Sequence, residues 1–140
     1  MDHWAAVIEA FSAGFPILIS HFAMAVLILI SGVLIYIKTT EWNDLKLIRM
    51  GNLAASISLG GAFISLSIPL SASLTTSLSL QSIIVWGFTA VIIQLICDRI
   101  AGLVIGDLRD RIEKNEISAA IFVLSIKVSV ALINSAVISG

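Results

Sequence analysis

The sequence predicts an all-α membrane domain of four spanning helices, and three observations carry that prediction. The 140 residues are 59% hydrophobic and 12% charged, with a mean hydropathy of +1.08, where soluble domains carry roughly a quarter charged residues. Two long stretches, between Glu9 and Lys38 and from Met50 to Cys97, contain no Asp, Glu, Lys or Arg. A spanning helix needs about 20 mostly apolar residues, because the hydrocarbon core is about 30 Å thick and each helical residue rises about 1.5 Å. The same composition excludes other classes. A net charge of -1 supplies no basic field for nucleic acid, and 9 Gly, 2 Pro and 1 Cys rule out collagen-like, low-complexity and disulfide-stapled chains.

The first helix is expected at about residues 15–37, with Pro16 in its first turn, where a missing N–H costs little. The uncharged run after Met50 is too long for one span. It is broken by the hydroxyl-rich Ser71-Ala72-Ser73-Leu74-Thr75-Thr76-Ser77-Leu78-Ser79, which places helix two at about 51–74 and helix three at about 81–105. Helix four follows at about 117–138, interrupted only by Lys127. Short cytoplasmic loops retain Lys and Arg. Seven of the eight basic residues (Lys38, Lys46, Arg49, Arg99, Arg109, Arg111 and Lys114) fall between helices one and two or at and beyond the end of helix three. Both termini are therefore expected outside, and the N-terminus lacks the positive segment of a cleavable signal peptide. Trp4 and Trp86 would sit at the outer interface, Tyr36 and Trp42 at the inner one.

The chain reads as a single membrane domain containing a repeat, with copies at about 15–74 and 81–138. The charged lead-in from Asp44 to Ile57 has a counterpart from Asp107 to Ile121, each leading to an Ala pair, and at an offset of 64 identities fall at Ile48/Ile112, Ala55/Ala119, Ile57/Ile121, Ser65/Ser129, Ser71/Ser135 and Ala72/Ala136. Both copies would enter the bilayer from the same side, as a parallel duplication of a two-helix hairpin. At these residues the chain resembles the YjfL-like family of small bacterial inner-membrane proteins of unknown function. The resemblance rests on the lead-in and GNLAASISLGGAFISLSIPLSASL (51–74), on WGFTAVIIQL (86–95), and on RIEKNEISAA with ALINSA (111–120 and 131–136). It implies a bacterial inner-membrane location and four helices from two copies of a two-helix unit, and it implies no activity. Asn115-Glu116, in place of a Gly-Asn-like pair, and Lys127 depart from the family pattern.

Lys127 is the most informative position, since a mid-bilayer Lys costs about 2.5–3.5 kcal/mol on insertion scales. Gln94 lies at a similar depth on helix three, Asp98 follows it on the same face, Asn134 stacks two turns outward from Lys127, and Glu116 opens helix four. Two readings stand. In one, Lys127, Gln94, Asp98, Asn134 and Glu116 line a path or site for an ion or small anion; in the other, Lys127 is satisfied by Asp98 or by carbonyls and fixes helix register. His21, at a depth near Asn134, is a candidate pH sensor or proton relay with a packing role as the alternative. With His3 it makes only two histidines, and no cluster has metal-ligand spacing, so no metal or cofactor is expected.

Small-xxx-small steps, Ser56/Gly60, Gly61/Ser65 and Gly102/Gly106, mark close helix packing or a hydroxyl-lined pore. The pairs Asp107/Arg111, Asp110/Lys114 and Arg109/Glu113 at i, i+4 extend helix four about two turns into the cytoplasm. Together with Lys46 and Arg49, the residues Arg109, Arg111 and Lys114 are candidates for docking a soluble partner or lipid headgroups. No nucleophile elbow or phosphate-cradling loop is present and Cys97 stands alone, so no enzyme is expected. Two functions from different classes remain: a non-enzymatic anchor or accessory subunit, and a small transporter or channel for an ion or small solute. A homo-oligomer is expected in either case, since four short helices enclose little space.

Overall fold

The computed structural model describes residues 3–140, and these form six helices: α1 (His3–Thr39), α2 (Asp44–Arg49), α3 (Leu53–Thr76), α4 (Leu80–Ile105), α5 (Leu108–Glu113) and α6 (Ile117–Ser139). Four of them, α1, α3, α4 and α6, are long and apolar enough to cross a membrane. They make an all-α bundle, with α2 and α5 as short charged helices at one end. Their Asp, Glu, Lys and Arg residues make this the charged end of the bundle.

The boundaries have local causes. Asn52 caps α3 by accepting from the Ala55 N–H at 2.8 Å, and Ser79 caps α4 by accepting from the Ser82 N–H at 3.2 Å, each satisfying a donor with no partner inside its helix. Gly106, at φ +68°, ends α4. The first helix is longer than expected: it begins at His3, so Pro16 lies in its interior. The Ala-rich start is a strong helix former, and the helix runs on through Pro16, whose missing N–H leaves the Ser12 carbonyl without its intrahelical bond. The expected cytoplasmic extension of helix four is also corrected. Lys114 and Asn115 break the chain, Asn115 takes φ +59°, and α5 is a separate helix.

The two lead-ins share one backbone pattern at an offset of 64. After α2, the Gly51 N–H donates to the Ile48 carbonyl and the Asn52 N–H to the Leu47 carbonyl; after α5, the Asn115 N–H donates to Ile112 and the Glu116 N–H to Arg111, all at 2.9 Å. This is a helix stop in which the residue after the cap is left-handed. Gly51 (φ +83°) fills that position in the first lead-in and Asn115 in the second, Asn being the side chain that tolerates the conformation after Gly.

The most extensive packing is between α3 and α6, which run in the same direction from the charged end. A Cβ built on Gly61 would stand 2.7 Å from Leu124 Cδ1, so the missing side chain is what lets these backbones approach. Likewise α1 and α4 run parallel, with Gly32 against Val91 and Gly87 against Ile28. Around these contacts Ile28, Leu66, Leu70, Ile83 and Val91 form the apolar core. The leucine tip facing Gly61 can rotate, so Gly61→Ala is expected to fold with little loss. A branched Gly61→Ile must push α6 away and should cost about 1–3 kcal/mol. Thermal unfolding in mild detergent checks this; a Gly61→Ile protein as stable as the parent would show that the contact is loose.

Because Ile28 lies level with Gly87, the start of α4 at Leu80 is level with about residue 21 of α1. The eighteen residues of α1 before that point continue for about 27 Å beyond the other helices, and they are exposed from His3 to Ile19.

Candidate functional site

Helical side chains lean toward their helix N-terminus, and this decides what Lys127 meets. On α6 it leans toward the charged end, while Tyr36 on α1, whose N-terminus lies at the opposite end, leans the other way. They meet: Lys127 Nζ donates to Tyr36 Oη at 2.9 Å and lies 4.3 Å from the ring centroid. Tyr36 Oη is 3.0 Å from Ser58 Oγ on α3. The Asp98 carboxylate lies 4.0 Å from the ammonium, takes a hydrogen bond from Gln94 Nε2 at 2.9 Å, and receives a longer one from Ser65 Oγ at 3.5 Å. The same Gln94 amide donates to the Lys127 carbonyl at 3.1 Å, leaving Gln94 Oε1 with no donor among the described residues. Lys127 is 3% and Gln94 0% exposed. All four membrane helices thus contribute to one buried polar centre.

Of the seam read from the sequence, Lys127, Gln94 and Asp98 come together here. Asn134 sits seven residues, about 10 Å, further along α6 and donates to the Ala90 carbonyl at 3.3 Å, tying α6 to α4. Buried Ala90, Val91 and Ala131 lie between the two levels. His21 is half-buried at the far rim of the bundle, fifteen residues or about 22 Å along α1 from Tyr36, and does not join the centre. Glu116 stands at the start of α6 in an ion pair with Arg111. Tyr36 was expected at the membrane interface; the structure corrects this, since it is buried at 6% exposure. Its spacing from Ile28 and Gly32 at successive i+4 steps, all three buried, is the signal that points it inward.

A cavity of about 820 Å³ opens at the charged end between α1 and α4, and Tyr36, Asp98 and Lys127 form part of its wall. A second, of about 320 Å³, opens at the other end beside Asn134, Ser77, Ser82 and Thr89. Near the mouth of the first cavity sits a group that sequence reasoning missed. Asp44 is fully buried, accepting from Trp42 Nε1 at 2.7 Å and from Thr40 Oγ1 at 3.1 Å. Burial holds its carboxyl above the usual carboxylate range, against the lowering effect of the Trp42 and Thr40 bonds and of the Lys127 charge. The folded state therefore favours the protonated form. Its contribution to stability is present below the unfolded pKa and is lost as pH rises through the elevated folded value. Asp44→Asn is expected to flatten the decline of melting temperature as pH rises above the ordinary Asp range of about 4; an unchanged slope would count against it. Glu116 runs the other way. Its hydrogen bond from Arg111 holds it below the usual range, so its contribution is lost on acidification.

The remaining sequence candidates are distributed as follows. Gly61 and Ser65 face the bundle, a Cβ built on Gly102 would stand 3.4 Å from Leu108 Cδ2, and Gly60 has open space where a Cβ would go. Ser56 returns its hydroxyl to the Asn52 carbonyl. Gly106 ends α4 by its backbone conformation. Arg109 pairs with Glu113 at 3.0 Å and Arg111 with Glu116, whereas Lys46, Arg49 and Lys114 are exposed. Among the described residues, no group of three His, Cys, Asp or Glu side chains is placed to hold a metal ion.

A four-helix chain with this centre can be set beside known proteins. The family model described as Domain of Unknown Function (DUF350) matches residues 10–138. The chain belongs to the DUF350 family. Two curated relatives, both described as UPF0719 inner membrane protein YjfL, come from Escherichia coli strain K12 and Escherichia coli O157:H7. Each is 28% identical over 117 residues, covering 84% of this chain and 89% of the relative. The chain is therefore a YjfL-like member of DUF350, a family of integral membrane proteins without an established activity. No solved structure matches it.

Proposed function

We propose that this DUF350 protein is a small inner-membrane transporter or channel subunit that admits an ion or small solute to the Lys127–Asp98 centre. One observation carries the reading: the cavity of about 820 Å³ brings the buried ammonium and carboxylate into contact with space open at the charged end. The unpaired Gln94 Oε1 and the second cavity beside Asn134 support it. They place polar groups on both sides of a layer formed by Ala90, Val91 and Ala131, the arrangement a gated path requires. Intramembrane charges facing a cavity are also the usual mark of an ion or substrate pathway. The clustering of basic residues at the charged end supports a cytoplasmic position for it and an outward position for both termini. The shared stop geometry at an offset of 64 supports an origin by hairpin duplication.

The test is flux of ions and small solutes into proteoliposomes, comparing the parent with a Lys127→Met/Asp98→Asn double variant that keeps the centre electrically neutral. Loss of flux in a folded double variant supports the pathway, and unchanged flux sinks it. A second reading, as an anchor or accessory subunit docking a soluble partner, is favoured by exposed Lys46, Arg49 and Lys114 around the same end. Co-purification of a stoichiometric soluble partner, lost when those three are reversed to Glu, would support it.

A further inference from the structure

We infer that residues 3–15 of α1 are an amphipathic helix that lies flat in the headgroup boundary of the leaflet opposite the charged end, turned down onto it at Pro16. Upright, α1 has 37 residues and a length of about 55 Å, against about 40–45 Å for a whole bilayer with its headgroups. Tilt does not absorb the excess, because Gly32 on Val91 and Gly87 on Ile28 hold α1 alongside the shorter α4. Pro16 lies five residues, about 7–8 Å, past the level where α4 starts, which is the depth of one headgroup layer. From Pro16 to Lys38 there are 23 residues, the length of α6. The spanning part of α1 thus begins at Pro16, and the segment before it either stands in water or lies on the surface.

The residue pattern decides between these. Trp4, Val7, Ile8, Phe11 and Phe15 recur at i, i+3, i+4, i+7 and i+11, one apolar stripe about 100° wide, and each is between 46% and 78% exposed. Phe11 and Phe15 pack together within it, their ring centroids 5.1 Å apart. Ala5, Ala6, Glu9 and Ala13 fall on the opposite face. A stripe of this kind buries about 5–10 Å into the headgroup and acyl boundary, the depth that Trp favours. From Ile17 to Ile19 the large apolar side chains instead point all round the helix, as in hydrocarbon. The change falls at Pro16, whose missing N–H frees the Ser12 carbonyl and permits a sharp kink, with Gly14 just before it. The boundary that receives the stripe starts at Pro16 itself, whereas a second copy would have to meet it in the water above. With Glu9 and no Lys or Arg in the segment, apolar burial alone holds it, so its seating is independent of anionic lipid.

The full chain is labelled with single nitroxides in proteoliposomes, through Val7→Cys, Ile8→Cys, Glu9→Cys, Phe11→Cys and Ala13→Cys in a Cys97→Ser background. Oxygen, which concentrates in hydrocarbon, should reach the labels replacing Val7, Ile8 and Phe11 in preference to a water-soluble nickel complex, and the order should reverse at Glu9 and Ala13. The alternation should be the same with zwitterionic and with anionic lipid. Preferential nickel access at all five would leave the segment upright in water. Labels on the stripe shielded from both reagents and broadened by a neighbouring label would seat a second copy there, and either result overturns the assignment. Amide exchange of the unlabelled protein, at one chain per nanodisc, is an independent readout that needs no cysteine variant. Ile8→Glu/Phe11→Glu should speed exchange over residues 5–15 at least about tenfold and leave residues 20–39 unchanged. Equal exchange in parent and variant would overturn the assignment as well.

Discussion

Replacing Lys127 by Met is expected to destabilise the bundle by about 3 kcal/mol, the range seen when one partner of a buried pair is removed and the other charge is left uncompensated. The charge left behind is Asp98, 5% exposed and then supported only by Gln94 and the distant Ser65 hydroxyl. Tyr36 and Ser58 would keep each other as hydrogen-bond partners. The loss should therefore be recovered largely by adding Asp98→Asn, because the neutral amide removes the buried charge at nearly constant volume. Thermal unfolding in detergent of the parent, both single variants and the double variant completes the cycle. A double variant no more stable than Lys127→Met would show that the ammonium holds the helices by some route other than Asp98. The same double variant carries the flux test, so stability and transport are read from one protein.

Asn52→Ala should cost about 2 kcal/mol, for a different reason. The Asn52 side chain accepts from the Ala55 N–H as a helix cap and donates to the Ile112 carbonyl at 2.8 Å, in the stop at the end of α5. Losing the cap costs about 1 kcal/mol, and losing the bond to the Ile112 carbonyl, which keeps the Asn115 N–H as its other donor, costs about 0.5–1.5 kcal/mol more. Asn115 reciprocates by accepting from the Ala54 N–H at 2.9 Å. Asn115→Ala loses that bond and puts Ala at a positive φ, so it should cost more than Asn115→Gly, which loses the bond alone. Because both asparagines clamp the same ends of α3 and α6, the Asn52→Ala/Asn115→Ala double variant should lose less than the sum of the singles. Full additivity in thermal unfolding would mean that the two bonds act independently.

How much of the site was legible follows from what each residue type announces. Lys127, Gln94 and Asp98 stand out of an apolar sequence because a polar group in hydrocarbon needs a partner, and their depths follow from counting residues. Tyr36 gives only the weaker signal of its i+4 spacing from Ile28 and Gly32, since a Tyr near a helix end is equally at home in the interfacial belt. Asp44 reads as one more lead-in charge until the turn through Thr40 and Trp42 closes over it. The expected i, i+4 pairs beyond the membrane were correct only for Arg109 and Glu113. The left-handed Asn115 brings Glu116 to Arg111 instead.

The sequence by itself determined that there are four membrane helices and, to within two residues, where three of them lie, because uncharged length against bilayer thickness is a one-dimensional quantity. Which face of each helix turns inward was decided by tertiary structure alone. In a bilayer the lipid-facing and core-facing sides are both apolar, so little amphipathic periodicity remains to fix rotation. Close packing such as that of Gly61 against Leu124 and Gly32 against Val91, together with the bonds of the Lys127 centre, sets that rotation. It separates Asn134 and His21 from Lys127, turns Tyr36 to the ammonium, and leaves the cavity between α1 and α4 open.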